Sequence, residues 1–92
     1  MHEWHITEEL LDQVCTQAEE NRINKVTKIQ VKLGEDGHIT EESLRFCFQL
    51  LSEKTIAKEA VLEIKASAGN ALTLMSLEGE QETPEAGKPR KA

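Results

Sequence analysis

The chain has 92 residues, a net charge of −6 and a hydrophobic content of 38%, which together favour one small, weakly acidic domain. The excess of acidic residues argues against nucleic-acid binding, because phosphate contacts require basic side chains. No apolar run approaches the roughly 20 residues that a membrane-spanning helix needs. The first residues show no basic region followed by an apolar stretch, so no secretory signal is expected and a cytoplasmic location is the simplest expectation.

The first predicted element is a helix over residues 4–20. Its apolar residues recur near the helical period and form one stripe, made of Trp4, Leu10, Leu11, Val14, Cys15 and Ala18. A strand is predicted over residues 26–33, where Ile29, Val31 and Leu33 alternate with polar residues. This alternation indicates a sheet with one covered face and one face in water.

A second helix is expected to start after Thr40, whose hydroxyl is suited to the N-cap position. Ile39 and Leu44 have the spacing of a hydrophobic staple around that cap. The stripe of this helix that should be buried consists of Leu44, Cys47, Phe48 and Leu51, widened by Phe46 and Leu50.

Two more strands are predicted over residues 60–66 and 71–77, and their short connection suggests a hairpin. The first strand, the second helix and the following strand form a crossover unit, which is expected to be parallel and right-handed. The order α-β-α-β-β predicts an α+β fold with two helices packed on one face of a three-stranded mixed sheet. Residues 1–77 would form this domain. Residues 78–92 have no apolar side chain larger than alanine and are expected to be a disordered tail.

The beginning of the chain has the donor atoms of a metal chelate. The amine of Met1, the amide nitrogen of His2 and the imidazole of His2 can close adjoining rings around one ion, and the amide of Glu3 can complete a plane of four nitrogens. Planar, nitrogen-rich sites suit Ni(II) and Cu(II). His38, in a loop bounded by glycines, could reach the same ion, and His5 is a weaker candidate. The alternative is that these histidines are solvated surface residues.

No arrangement typical of an enzyme is found. The serines do not lie in a nucleophile elbow, and the loop over residues 34–37 lacks the Lys-Ser/Thr ending of a phosphate-binding loop. Cys15 and Cys47 stand far apart without a C-x-x-C pair, so no structural zinc is expected and both are interpreted as small buried apolar residues.

Several stretches together resemble the HypA/HybF family of hydrogenase nickel-incorporation proteins. They are the start Met1-His2-Glu3-Trp4, the strand end Val31-Lys32-Leu33-Gly34-Glu35, the Phe-rich helix at residues 44–51 and the stretches at residues 55–57 and 60–64. The family carries a zinc domain with two C-x-x-C pairs before its last strand. Here residues 70–78 resemble that returning strand, yet they follow Ala66 after only three residues. The chain therefore looks like a family member that lacks the zinc-binding domain.

This resemblance implies a nickel-binding metallochaperone that delivers Ni(II) during [NiFe] hydrogenase maturation. It implies that the metal is held at Met1, His2 and Glu3, and that the partners are a maturation GTPase and/or the hydrogenase large subunit. The alternative function is a protein-interaction or regulatory module that keeps the nickel-domain fold without delivering metal. The oligomeric state is left open by the sequence.

Overall fold

The computed structural model describes residues 2–81, and of His2 it describes only the backbone. The elements are α1 (His2–Glu20), β1 (Ile23–Gly34), α2 (Glu41–Ser52), β2 (Val61–Ser67) and β3 (Leu72–Gln81). This confirms the order α-β-α-β-β and the predicted α+β fold. Each predicted element is present, and the largest differences from the predicted bounds are the earlier starts of α1 and β1 and the later end of β3. No helix in residues 2–81 is long and apolar enough to cross a membrane.

The central strand of the sheet is β1, because the strand order is β2-β1-β3. β2 runs parallel to β1 and β3 runs antiparallel to it, so the sheet is mixed as predicted. The parallel β1–β2 pair agrees with the crossover expected from the sequence. The expected hairpin between the last two strands is wrong, since β2 and β3 lie on opposite sides of β1.

The chain passes from β2 to β3 across the end of β1, through residues 68–71. The amide of Gly34, the last residue of β1, donates to the carbonyl of Ala71 at 2.9 Å. A Cβ atom at Gly34 would overlap the backbone of Gly69 and Asn70. Neighbouring strands are about 4.8 Å apart, so four residues are enough to span two such spacings. A short connection therefore permits this crossing as well as a hairpin.

Three rungs of apolar residues line the covered face of the sheet. They are Leu62–Ile29–Leu77, Ile64–Val31–Leu74 and Ala66–Leu33–Leu72, read across β2, β1 and β3. A register shift between Gln30 and Val31 leaves Met75 without a partner on β1, and its side chain is exposed. Leu74 and Leu77 are three positions apart, which in a regular strand would put them on opposite faces, and the bulge brings both to the same face.

β3 extends four residues beyond the expected end of the domain. Residues 78–81 pair with β1, with Glu78 opposite Lys28 and Gly79 opposite Val26. A Cβ atom at Gly79 would overlap the carbonyl oxygen of Lys25, so the close approach of these strands requires glycine. β3 therefore continues past the boundary predicted after residue 77, and residues 82–92 of the expected tail lie outside the described residues.

The hydrophobic core lies between the helices and the covered face of the sheet. Its buried members are Leu10, Leu11, Val14, Ala18, Val26, Ile29, Val31, Leu44, Phe48, Ala57 and Leu62. Two residues expected to widen the stripe of α2 are not part of it, because Phe46 is 63% exposed and Leu50 is 48% exposed. Both residues lie outside the side of α2 that carries the buried residues Leu44, Cys47 and Phe48.

The start of α2 is fixed by side-chain hydrogen bonds. The Ser43 amide donates to the Thr40 hydroxyl at 3.0 Å, and the Thr40 amide donates to the Ser43 hydroxyl at 3.2 Å. This reciprocal pair is a capping box, in which serine takes the place usually held by glutamate or glutamine. Thr40 is thus confirmed as the N-cap, and Ile39 is half-buried against the core that contains Leu44.

Candidate metal centre

The backbone at the start of α1 offers nitrogen atoms that the helix does not use. The first amides of any α-helix have no acceptor within the helix, and α1 begins at His2. The amides of His2 and Glu3 are therefore free of intrahelical hydrogen bonds. Of the four residues predicted as metal ligands, Met1 lies outside the described residues, as does the side chain of His2.

A buried threonine anchors this first turn. The Thr7 hydroxyl donates to the carbonyl oxygen of Glu3 at 2.6 Å, and Thr7 is fully buried although it is polar. Threonine four residues after a carbonyl in a helix commonly makes this bond. Thr7 was not among the residues predicted from the sequence, although its spacing of four residues from Glu3 is a signal for this bond. The bond ties the turn that carries Glu3 to the packed part of α1.

His5 lies beside carboxylates of its own helix. Its Nε2 atom is 3.4 Å from an oxygen of Glu9, and its Nδ1 atom is 3.9 Å from an oxygen of Glu8. The side chain is 72% exposed. His5 therefore lies on the solvent side of α1, beside Glu8 and Glu9.

His38 lies at a cleft that α1 also lines. The cleft has a volume of about 200 Å³, and its apolar walls come from Ile6, Leu33, Ile39 and Leu72. Residues four apart share a helix face, so Ile6 lies on the same face of α1 as position 2. The fold therefore places the loop of His38 beside the N-terminal part of α1, at the end of the sheet where β1 ends.

Carboxylates do not complete a metal site within the described chain. Asp36 lines the same cleft as His38. In residues 2–81, without the side chain of His2, no three His, Cys, Asp or Glu side chains come together as a possible ligand set.

The two cysteines are free thiols. Cys47 is buried, while Cys15 is only half-buried and packs against the core. Burial, followed by the negative charge of Asp12, raises the pKa of the Cys15 thiol. The thiolate is the form that binds metal ions, and a raised pKa leaves less of it, so this environment disfavours Cys15 as a ligand.

Comparison with known proteins identifies the family. A family model described as "Hydrogenase/urease nickel incorporation, metallochaperone, hypA" matches residues 1–74, which is most of the chain. The chain belongs to the HypA family. It is 45% identical over 65 residues to the hydrogenase maturation factor HypA of Dehalococcoides mccartyi, covering 71% of this chain and 55% of the relative. It is 37% identical over 75 residues to the corresponding factor of Archaeoglobus fulgidus, covering 82% and 68%.

Solved HypA structures share the fold. A solution structure of the nickel metallochaperone HypA from Helicobacter pylori superposes with a TM-score of 0.78 at 18% identity, covering 87% of this chain and 98% of that chain. A second solution structure of a HypA protein gives a TM-score of 0.69 at 20% identity. The chain spans about half the length of several HypA relatives that it matches, with 55% and 53% of two of them covered.

Proposed function

We propose that this HypA-family chain binds Ni(II) at its N-terminus and delivers it during [NiFe] hydrogenase maturation. The observation that carries the proposal is the Met1-His2-Glu3 start of the sequence, in a chain that belongs to this family and whose first helix begins at His2. The chain acts as an accessory protein in the cytoplasm and not as an enzyme. Its partners are a hydrogenase maturation GTPase and/or the hydrogenase large subunit.

The amine of Met1, the amide nitrogen and imidazole of His2 and the amide nitrogen of Glu3 supply the ligands. Nitrogen donors in a plane are the preference of Ni(II), whereas zinc favours a tetrahedral set of ligands. Because the amides of His2 and Glu3 precede the helical hydrogen-bond ladder, metal binding there breaks no bond within α1. The hydrogen bond from the Thr7 hydroxyl to the Glu3 carbonyl ties this chelate to the packed part of α1. No structural zinc is part of the proposal.

His38 is proposed as an outer ligand or a second contact for the nickel ion. Its loop lines the cleft that Ile6 shares, one helical turn after His2. His5 has no such role, because its imidazole lies beside Glu8 and Glu9.

The test is a calorimetric nickel titration of the native chain and of three single variants at neutral pH. Replacing His2 by alanine removes one donor and opens a chelate ring, so the affinity should fall more than about tenfold, or about 1.4 kcal/mol. His38→Ala should give a smaller loss. His5→Ala is the matched control on the same helix and should bind nickel as the native chain does.

Circular dichroism checks that each variant keeps the fold. Metal-binding nitrogens must be unprotonated, so the native affinity should also decrease on acidification. If His2→Ala binds nickel as tightly as the native chain, the metallochaperone proposal fails. The alternative function, a protein-interaction or regulatory module that delivers no metal, would then take its place.

A further inference from the structure

We propose that the link between β2 and β3, residues 68–71, is a positioning element for His38. It holds residues 35–39, named here the His38 loop, beside the first turns of α1. The inference rests on the proposed nickel function and adds to it a specific structural support for the metal-binding end of the molecule.

Backbone hydrogen bonds attach the His38 loop to the end of β2 and to the link. The amide of Glu35 donates to the carbonyl of Ser67 at 2.8 Å, and the amide of Asp36 donates to the carbonyl of Gly69 at 2.8 Å. The bond from Gly37 to the Gly34 carbonyl, at 3.4 Å, stays within the turn. Among the described residues, the bonds of Glu35 and Asp36 are the backbone bonds that connect residues 35–39 to another segment.

Packing places the link next to the cleft of His38. Asn70 lines this cleft together with His38 and Ile6. Gly37 lies so close to the link that a Cβ atom there would be 3.3 Å from the carbonyl oxygen of Asn70. The link and the His38 loop are therefore in direct contact beside α1. Metal ligands lose affinity when their support allows them to move by more than about 0.5 Å.

Gly69 gives a way to disturb the link alone. Its φ angle is +92°, a conformation that favours glycine, and no atom lies within 4 Å of where its Cβ would be. Gly69→Ala therefore strains the backbone without creating a steric contact. The strain acts on the residue whose carbonyl accepts the hydrogen bond from Asp36.

The experiment combines amide hydrogen exchange with nickel titration of four chains: native, Gly69→Ala, His38→Ala and the double variant. In Gly69→Ala, exchange at Asp36 should accelerate and nickel affinity should fall by about threefold to tenfold, as expected for strain at a position with positive φ. In the His38→Ala background, Gly69→Ala should cause no further loss of nickel affinity. Val26→Ala is the stability control, since Val26 is fully buried at the opposite end of β1.

Each other outcome overturns the inference. Unchanged exchange at Asp36 would show that the link does not hold the loop, and equal losses in both backgrounds would show that it does not act through His38. The inference also fails if His38→Ala leaves affinity unchanged, or if Gly69→Ala accelerates exchange without weakening nickel binding. It fails too if Val26→Ala weakens binding as much as Gly69→Ala. A native chain that does not bind nickel would remove the proposed function itself.

Discussion

Glu63 is the carboxylate at the centre of a polar network on the uncovered face of the sheet. Gln30 donates to one of its oxygens at 2.9 Å, and the Lys28 ammonium lies 3.4 Å from the other. The Gln30 hydrogen bond, together with Lys28 and Lys65, holds the pKa of Glu63 below its ordinary value although desolvation opposes this. The Ser76 hydroxyl extends the network to β3 by donating to Gln30 at 2.7 Å.

The lowered pKa of Glu63 predicts a pH dependence of stability. A carboxylate with a lowered folded-state pKa stabilises the fold above its unfolded value of about 4.3, and this contribution is lost as the pH falls through the folded-state value. Glu63→Gln should therefore lower the melting temperature slightly at neutral pH, and the difference from the native chain should disappear in acid. Melting curves between pH 2 and pH 7, a range chosen to bracket that value of about 4.3, measure this. A difference that grows on acidification would contradict it.

Single residues were predicted well from the sequence where local chemistry decides their place. The Thr40 cap depends on neighbours a few residues away, and the capping box confirms it. Phe46 and Leu50 were predicted to be covered and are exposed. Phe46 lies two residues from both Leu44 and Phe48, which is about 200° around an α-helix, so the helical period itself places Phe46 away from the buried stripe.

At the scale of elements, the capping box at the start of α2 should make a measurable contribution to stability. Thr40→Ala removes the acceptor of the Ser43 amide and should cost about 1 kcal/mol, which lowers the melting temperature by about 4–8 °C. Thr73→Ala is a suitable control, since Thr73 is exposed on β3. Equal melting temperatures for native and Thr40→Ala chains would show that the cap does not support α2.

The elements followed from periodicity, but the pairing of the strands did not. Alternation in β1 gave its covered face correctly, since period-two patterns report burial directly. The bulge at Met75 breaks the alternation in β3, so the inward position of Leu77 could not be read from the pattern. The order β2-β1-β3 depends on Gly34 allowing the link to cross β1, and a short connection alone does not distinguish this crossing from a hairpin.

At the scale of the whole molecule, the end of β3 gives a test of where the folded domain stops. Truncation after Gln81 removes residues that are expected to add nothing to the core, so the melting temperature should change by less than about 2 °C. Truncation after Leu77 also removes the strand pairs of residues 78–81 with β1. This second chain should melt several degrees lower, by roughly the effect of 1 kcal/mol or more. A large drop for the first truncation would show that residues 82–92 take part in the fold.

The candidate site could be predicted from the sequence only in part. The donor set of Met1, His2 and Glu3 is a property of consecutive residues, and the resemblance to the HypA family pointed to the same positions. The closeness of the His38 loop to α1 arises from the fold, since Ile6, His38 and Asn70 are brought to one cleft from three segments. The support from the link depends on hydrogen bonds between distant residues, which no local pattern contains.

The central claim is that the N-terminal amine and His2 hold nickel, and blocking the amine tests it most directly. Calorimetric titration with Ni(II) should compare the native chain with the same chain acetylated at Met1, both at neutral pH. Acetylation removes one nitrogen donor and leaves the core unchanged, so the account predicts a loss of affinity of more than about tenfold with an unchanged circular dichroism spectrum. Equal nickel affinity of the two chains would contradict it.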